Sequence, residues 1–433
     1  MSSDSDKVGY WGAVSIGIGG MVGGGIFAVL GLAVQLAHGG TPVAFLIAGF
    51  VALVTSYSYA KLSVRYPSQG GTVVYLDRAF GTELFTGALN NLLWISYMIM
   101  LALYAYAFGN YGATFFPKEY QSIMTHVLIS LGIIVPALLN VLSAAVVSKA
   151  ETYVVIIKVA ILIFFITVGF QGVNAASLSV SHWTPIVQVA AGGMIIFLAY
   201  EGFELIANTA QDIVNPESNL PKALYSALGF VIVLYVLIAM VSLGNLAVPK
   251  IVQAKDYALA EAAKPFLGQP GFTLISVAAM LSTFSAINAT LYGASRLSYI
   301  IAKEGELPEM LERKIWNQPI EGLIITTALA LLLANLANLT DISTMGSSGF
   351  LLIFAAVNAS NIKLSDKTNS KRWLSIVGLA GCLLAFAALL WYTITNNPSK
   401  LWILGGMIAV VFLIEFVYRE YRGKPMVFPK EDS

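Results

Sequence analysis

One lysine and two glutamates stand where such residues are rare. Lys158 sits in Val154-Val-Ile-Ile-Lys-Val-Ala-Ile-Leu162, and Glu201 and Glu204 flank a glycine in Phe197-Leu-Ala-Tyr-Glu-Gly-Phe-Glu204. A charge in the middle of an apolar helix costs about 2.5–3.5 kcal/mol on membrane-insertion scales, so it faces protein or water rather than lipid. Lys158 lies about eight residues from the inner end of its run, roughly 12 Å deep at 1.5 Å per residue. Two uses fit it. Its stem snorkels into a watery vestibule, or it faces the helix bundle as a tethered cation or proton carrier. Buried lysines lose their proton readily because desolvation disfavours the charged form. A group that can be charged or neutral at working pH is what proton coupling requires.

A third feature is a run of glycine. Ser15-Ile-Gly-Ile-Gly-Gly-Met-Val-Gly-Gly-Gly-Ile-Phe27 carries glycine at 17, 19, 20, 23, 24 and 25. Each costs roughly 1 kcal/mol relative to alanine inside a helix. Small faces for close helix packing would explain some of them. Three consecutive glycines cover more than one face, which favours a helix unwound between about Gly19 and Gly25. A second break is expected near Tyr200 to Glu204. Backbone freed in this way cannot face lipid and must line a site.

Such breaks have an electrostatic meaning. A half-helix starting near Ile26 presents N–H groups and a positive dipole end, which suit a carboxylate. Half-helices ending near Gly19 and Tyr200 present carbonyls, which suit an ammonium. Both ends together match a zwitterion such as an α-amino acid.

Other chemistry finds little support. His38, His126 and His182 lie at loops or span ends and share no metal-ligand spacing, so no metal site is expected. Those histidines offer no base for a nucleophile, so no enzyme is expected. There is no GxxxxGK[ST] run for nucleotide binding and no TVGYG-like filter for a channel. The single cysteine, Cys382, lies in an apolar run, which excludes a disulfide within one chain. No cofactor is expected beyond the proton as coupling ion. The expected partners are a small amino acid and the lipid bilayer, with no nucleic acid, in a monomer or weak homo-oligomer.

The elements that hold these residues follow from composition. Of 433 residues, 58% are apolar and 11% are charged, against about 25% charged in a soluble domain. Apolar runs long enough to cross a bilayer fall near 10–36, 42–65, 82–115, 123–147, 150–170, 187–211, 222–247, 272–301, 321–338, 341–362, 373–395 and 400–420. The weakest division is 321–362, which Asn335, Asn338 and Asp341 interrupt. The short polar start, Met1 to Lys7, runs into a full-length span and is not read as a cleaved signal peptide.

Charge sets the expected orientation. With the N-terminus inside and twelve spans, 18 of the 24 Lys and Arg fall on the inner side, Lys314, Lys424 and Lys430 among them. Lys118, Lys250, Lys255, Lys264 and Lys400 fall outside, and Lys158 belongs to neither side. The positive-inside rule then places both termini in the cytoplasm of a multi-pass protein of the cell membrane. The breaks fall in spans one and six, each opening a set of five. Corresponding interrupted helices point to a transporter site built from inverted repeats. The expected units are 10–170, 187–362 and an accessory pair at 373–420.

Several runs resemble the amino acid–polyamine–organocation family, and most closely its archaeal broad-specificity members. The triple glycine with Ile26 and Phe27 resembles the G-S-G-I-F signature of helix one. Pro67-Ser-Gln-Gly-Gly-Thr-Val-Val-Tyr75 with Arg78-Ala-Phe-Gly81 resembles the family's segment between helices two and three. Phe197 to Glu204, continuing to Asn215-Pro-Glu-Ser-Asn-Leu-Pro-Lys222, resembles its helix-six run. Gly293-Ala-Ser-Arg296 and Lys303-Glu-Gly-Glu-Leu-Pro308 resemble the end of helix eight.

The resemblance implies an all-α membrane protein with the LeuT-type fold: twelve helices, a five-plus-five inverted repeat with discontinuous helices one and six, and two peripheral helices. It implies secondary transport of amino acids. The expected mode is sodium-independent proton symport of neutral ones with broad specificity; the alternative is an exchanger or a carrier of cationic amino acids or polyamines. It implies that Gly23, Gly24, Gly25 and Ile26 bind the carboxylate, that carbonyls around Met21, Val22, Phe197 and Tyr200 meet the ammonium, and that Phe203 gates the substrate. It further implies that Lys158 projects toward the Gly19 and Val22 carbonyls beside Ser282 and Thr283, where sodium-coupled relatives hold a cation. Gly24 stands where the family usually has a small hydroxyl residue. Glu201 could accept a basic side chain, relay a proton or face water at the break; Glu204 is a further possible site residue, and the plainer reading of both is that they are protonated and packed.

Overall fold

The structure, a computed structural model, describes residues 7–142, 145–313 and 319–422. Lys314, Lys424 and Lys430 of the charge pattern lie outside the described residues. In chain order the helices are α1 (Tyr10–Met21), α2 (Gly25–Ala37), α3 (Thr41–Arg65), α4 (Thr72–Phe80), α5 (Leu84–Ala113), α6 (Lys118–Leu142), α7 (Ala145–Gly169), α8 (Ile186–Ile195), α9 (Glu204–Asn208), α10 (Pro216–Asn245), α11 (Val248–Gln253), α12 (Ala258–Lys303), α13 (Ile320–Leu336), α14 (Leu339–Lys363), α15 (Ser365–Thr368), α16 (Arg372–Asn396) and α17 (Leu401–Arg422). Among the described residues nine helices are long and apolar enough to cross a membrane. Two bent pairs add two spans: α1 with α2 at 45°, and α8 with the Phe197–Asn208 stretch at 46°. α13 is a shorter apolar helix of 17 residues, at the lower end of the length that crosses a bilayer.

Two boundaries have clear local causes. Asn338 caps α14 by accepting from the Asp341 N–H at 3.0 Å, so the polar interruption at 335–341 is a helix start. Gly268 adopts φ +63 within α12, a left-handed conformation that glycine takes without steric cost. It divides a short helix from the long membrane span that follows.

Burial orders the bundle. About four-fifths of the apolar stretch is buried in α5 (83%) and α14 (78%), against 28% in α16 and 22% in α17. The former are central and the latter are peripheral. α5 packs on α12 and α6, α3 on α10, and α14 on α16. Hydrogen bonds tie α3 to both members of the last pair. Ser58 of α3 donates to Asn358 Oδ1 of α14 at 2.7 Å, and Asn358 Nδ2 donates to Thr55 Oγ1 at 3.2 Å. The buried Cys382 of α16 lies 3.3 Å from the same threonine. Asn358→Ala is therefore expected to lower stability by about 1–2 kcal/mol, read as a lower unfolding midpoint in detergent. An unchanged midpoint would discount the network.

Candidate functional site

The first break is shorter than expected. α1 remains helical through Met21, so only Val22 to Gly24 separate it from α2. None of the three glycines has positive φ, so backbone freedom is not their purpose. A Cβ on Gly23 would press on Ala286 of α12, one on Gly24 on the Tyr104 ring of α5, and one on Gly25 on the Ala199 backbone. The helix is broken, and its glycines are also where three neighbours approach it. The Tyr104 ring fills the space that a side chain at position 24 would take.

The freed carbonyls are met one by one. Lys158 Nζ of α7 donates to Gly19 O at 2.9 Å. The Gly23 N–H reaches Gly20 O at 3.3 Å. Tyr235 of α10 donates from its hydroxyl to Met21 O at 2.5 Å, and Ser282 Oγ of α12 donates to Val22 O at 2.7 Å. Thr283 turns back on its own helix and donates to Ala279 O at 2.7 Å. On the far side of the gap no side chain caps α2, which leaves its first-turn N–H groups without helical acceptors. That of Ile26 faces the Tyr235 hydroxyl.

The second break starts earlier than Tyr200. α8 ends at Ile195, and Phe197 to Phe203 form a 3₁₀ helix. Ser347 of α14 explains the shift. Its hydroxyl donates to Ile195 O at 2.8 Å and accepts from the Leu198 N–H at 3.1 Å. One side chain thus replaces a turn of helical bonding. Tyr200 donates to Phe45 O of α3 at 3.0 Å and stacks on Tyr235 at 5.2 Å. The Tyr235 hydroxyl also lies 3.4 Å from Ala199 O, so it spans both breaks.

The two breaks touch backbone to backbone. A Cβ on Gly20 would lie 3.0 Å from Gly202 O, and one on Gly202 would overlap Gly20 and Met21. Phe197 packs on Phe354. Phe203 packs at 5.2 Å from both Tyr59 and Phe354, and a gate at Phe203 would have to swing out of that cluster.

Both glutamates are buried, at 3% and 1% exposure for Glu201 and Glu204. Thr72 Oγ1 donates to Glu204 Oε1 at 2.7 Å and lies 2.8 Å from the Tyr59 hydroxyl. The Oε2 atom of each glutamate finds no hydrogen-bond partner among the described residues. Glu204 lines a cavity of about 460 Å³ with Gln69, Tyr97, Asn208 and Tyr292, and exposed Arg296 and Asp212 complete its wall. The cavity lies on the face where α1 begins, because Val8 also lines it.

The profile of the amino acid permease family matches residues 8–421, nearly the whole chain. The chain belongs to that family. The permease is 36% identical over 430 residues to an uncharacterized protein of Methanocaldococcus jannaschii, with 97% of each chain covered. It is 35% identical over 410 residues to the inner membrane transport protein YbaT of Escherichia coli, covering 94% of this chain and 95% of the relative. It is 23% identical over 455 residues to the branched-chain amino acid permease BcaP of Bacillus subtilis, covering 96% and 94%. The permease is accordingly a multi-span membrane transporter of the amino acid permease type, with the LeuT-type fold, and not an enzyme.

Tyr235 and Ser347 escaped the reading of the permease's sequence. Each is a single hydroxyl in a largely apolar or small-residue run, and such a run does not say which neighbour the hydroxyl faces. Lys158, by contrast, announces itself because a charge there needs a partner.

Proposed function

We propose that this permease is a proton-coupled, sodium-independent symporter of neutral amino acids in the cell membrane, with both termini in the cytoplasm. The carrying observation is Lys158 Nζ on Gly19 O, next to the Ser282 bond to Val22 O. A tethered ammonium stands among carbonyls at the first break, where a free cation would otherwise be needed. Gain and loss of its proton would make and weaken that tie. The substrate's carboxylate would take the α2 amides at Gly23, Gly24, Gly25 and Ile26. Its ammonium would take carbonyls at Met21, Val22, Phe197 and Tyr200. The branched-chain permease among the relatives supports an amino acid as cargo. Residues 10–170 and 187–362 would be the two inverted repeats, with 373–420 accessory. A carrier of cationic amino acids is the second reading, favoured by the buried Glu201, whose Oε2 finds no hydrogen-bond partner among the described residues.

The test is uptake of radiolabelled amino acids into liposomes of the purified protein, with pH and sodium gradients imposed separately. Accumulation of neutral amino acids with an inward proton gradient is expected. Accumulation that follows sodium alone would overturn the coupling, and a preference for lysine or arginine would select the second reading.

A further inference from the structure

Substrate handling leaves one buried cluster unused. It lies at α4, the short helix between spans two and three. At its start, Thr72 holds Glu204 of the second break. Further along, Asp77 meets Asn90 of α5, whose Nδ2 lies 3.2 Å from Asp77 Oδ1 and 2.7 Å from Glu306 Oε2. Glu306 follows the end of α12, in the Lys303–Pro308 run, and is fully buried. Gly305 makes the turn there with φ +77, which favours glycine.

One amide nitrogen therefore serves two carboxyl groups from two different elements. The Asn90 Oδ1 and Glu306 Oε1 atoms are also buried, and neither finds a hydrogen-bond partner among the described residues. Both are acceptors unless a proton is added. Asn90 has no further donor to supply, so a carboxyl O–H is the group that satisfies this set.

The surrounding charges do not replace that proton. Arg78 and Glu304 act near Asp77, and Glu415 and Arg419 of α17 act near Glu306. Arg78 is exposed. Arg419 is engaged elsewhere: its Nε donates to Glu415 Oε1 at 2.6 Å and its Nη2 to Thr82 O at 2.7 Å. With the proton removed, Asp77, Glu306 and Glu415 would face one committed guanidinium. Two like charges sharing one site in low dielectric cannot both ionise at ordinary pH.

We propose that Asp77, Asn90 and Glu306 form a proton-binding latch on the N-terminal face, which clamps α4 to α5 and to the end of α12 while it holds a proton and loosens when the proton leaves. Burial first, and then the charge of Asp77, push the Glu306 carboxyl up to about 9. Burial raises Asp77 as well. The sign follows directly. A carboxyl raised by closing the latch favours the closed form at low pH. That advantage is complete below the free value of about 4.3 and is lost as pH rises through about 9. Because α4 also carries the Thr72 bond to Glu204, loosening it releases one hold on the second break.

The test is an infrared titration of the purified full-length protein, which needs no transport and so stands apart from proton symport. The wild type is expected to keep a carboxylic-acid carbonyl band at neutral pH that disappears near pH 9. Glu306→Gln is expected to lack that band. Asp77→Asn, which removes the neighbouring charge, is expected to shift its midpoint toward acid. In liposomes, uptake by the wild type is expected to change as lumenal pH rises toward about 9, and Glu306→Gln is expected to lose that limb. Should Glu306→Gln fail to fold, an unmoved midpoint in Asp77→Asn overturns the latch. So does a Glu306→Gln protein that titrates and transports across lumenal pH as the wild type does.

Discussion

Gly202→Ala is expected to abolish amino acid uptake, with the protein still inserted in the membrane. Gly202 is where the two broken spans cross. Its Cα side lies on the Gly20–Met21 peptide, and a methyl group there has only backbone to displace. Backbone cannot rotate away as a flexible side chain does, so the breaks must part. Parting them moves Met21 O from Tyr235 and disturbs Gly19 O beside Lys158. Overpacking alone costs about 1–3 kcal/mol, which a large bundle survives, but a site displaced by an ångström loses its function. Gly229→Ala is the control. A Cβ there meets nothing within 4 Å, and the same substitution in α10 should leave uptake intact. Comparable uptake by both variants would show that the crossing is not needed.

Lys158→Ala is expected to cut accumulation against a gradient sharply. The lysine is 2% exposed and its ammonium joins α7 to the last turn of α1. Alanine removes the only titratable group of that tie and leaves Gly19 O without this donor. Exchange of internal for external substrate should survive, because the substrate contacts proposed at α2 and at Met21 remain. The loss of concentrative uptake should be about tenfold or more, since a buried hydrogen bond from a charged group contributes about 1.5–3 kcal/mol. Lys158→Arg separates charge from titration. A guanidinium keeps the positive charge at every accessible pH, so binding should persist while dependence on the proton gradient disappears. Wild-type accumulation and pH dependence in both variants would remove Lys158 from the coupling step.

The spans were readable because bilayer thickness demands long apolar runs, and the running order of polar breaks marked their ends. Even the weakest division, within 321–362, was marked by Asn335, Asn338 and Asp341, although the capping role of Asn338 shows only in the fold. Break positions were less readable. Glycine content says where a helix is weak, whereas its end depends on who accepts and donates across the gap. Tyr235 lets α1 continue to Met21, and Ser347 ends α8 at Ile195. Both come from distant elements, with no local signature. The role proposed for α4 was hidden for the same reason. Asp77 and Glu306 are 229 positions apart (306 − 77), and only the fold brings them to Asn90.

The capping of the breaks bears on the return journey. A carrier that concentrates its cargo must also cross the membrane unladen, once per cycle. Each backbone group left bare in a lipid-sheltered interior costs several kcal/mol, and that penalty would strand an empty protein on one side. Here the carbonyls of Gly19, Met21, Val22 and Ile195 are met by Lys158, Tyr235, Ser282 and Ser347. The chain's own side chains keep these four carbonyls satisfied without a passenger. Under the proposed symport, capped carbonyls would let the empty carrier reset on its own, which one-way pumping demands and one-for-one barter does not.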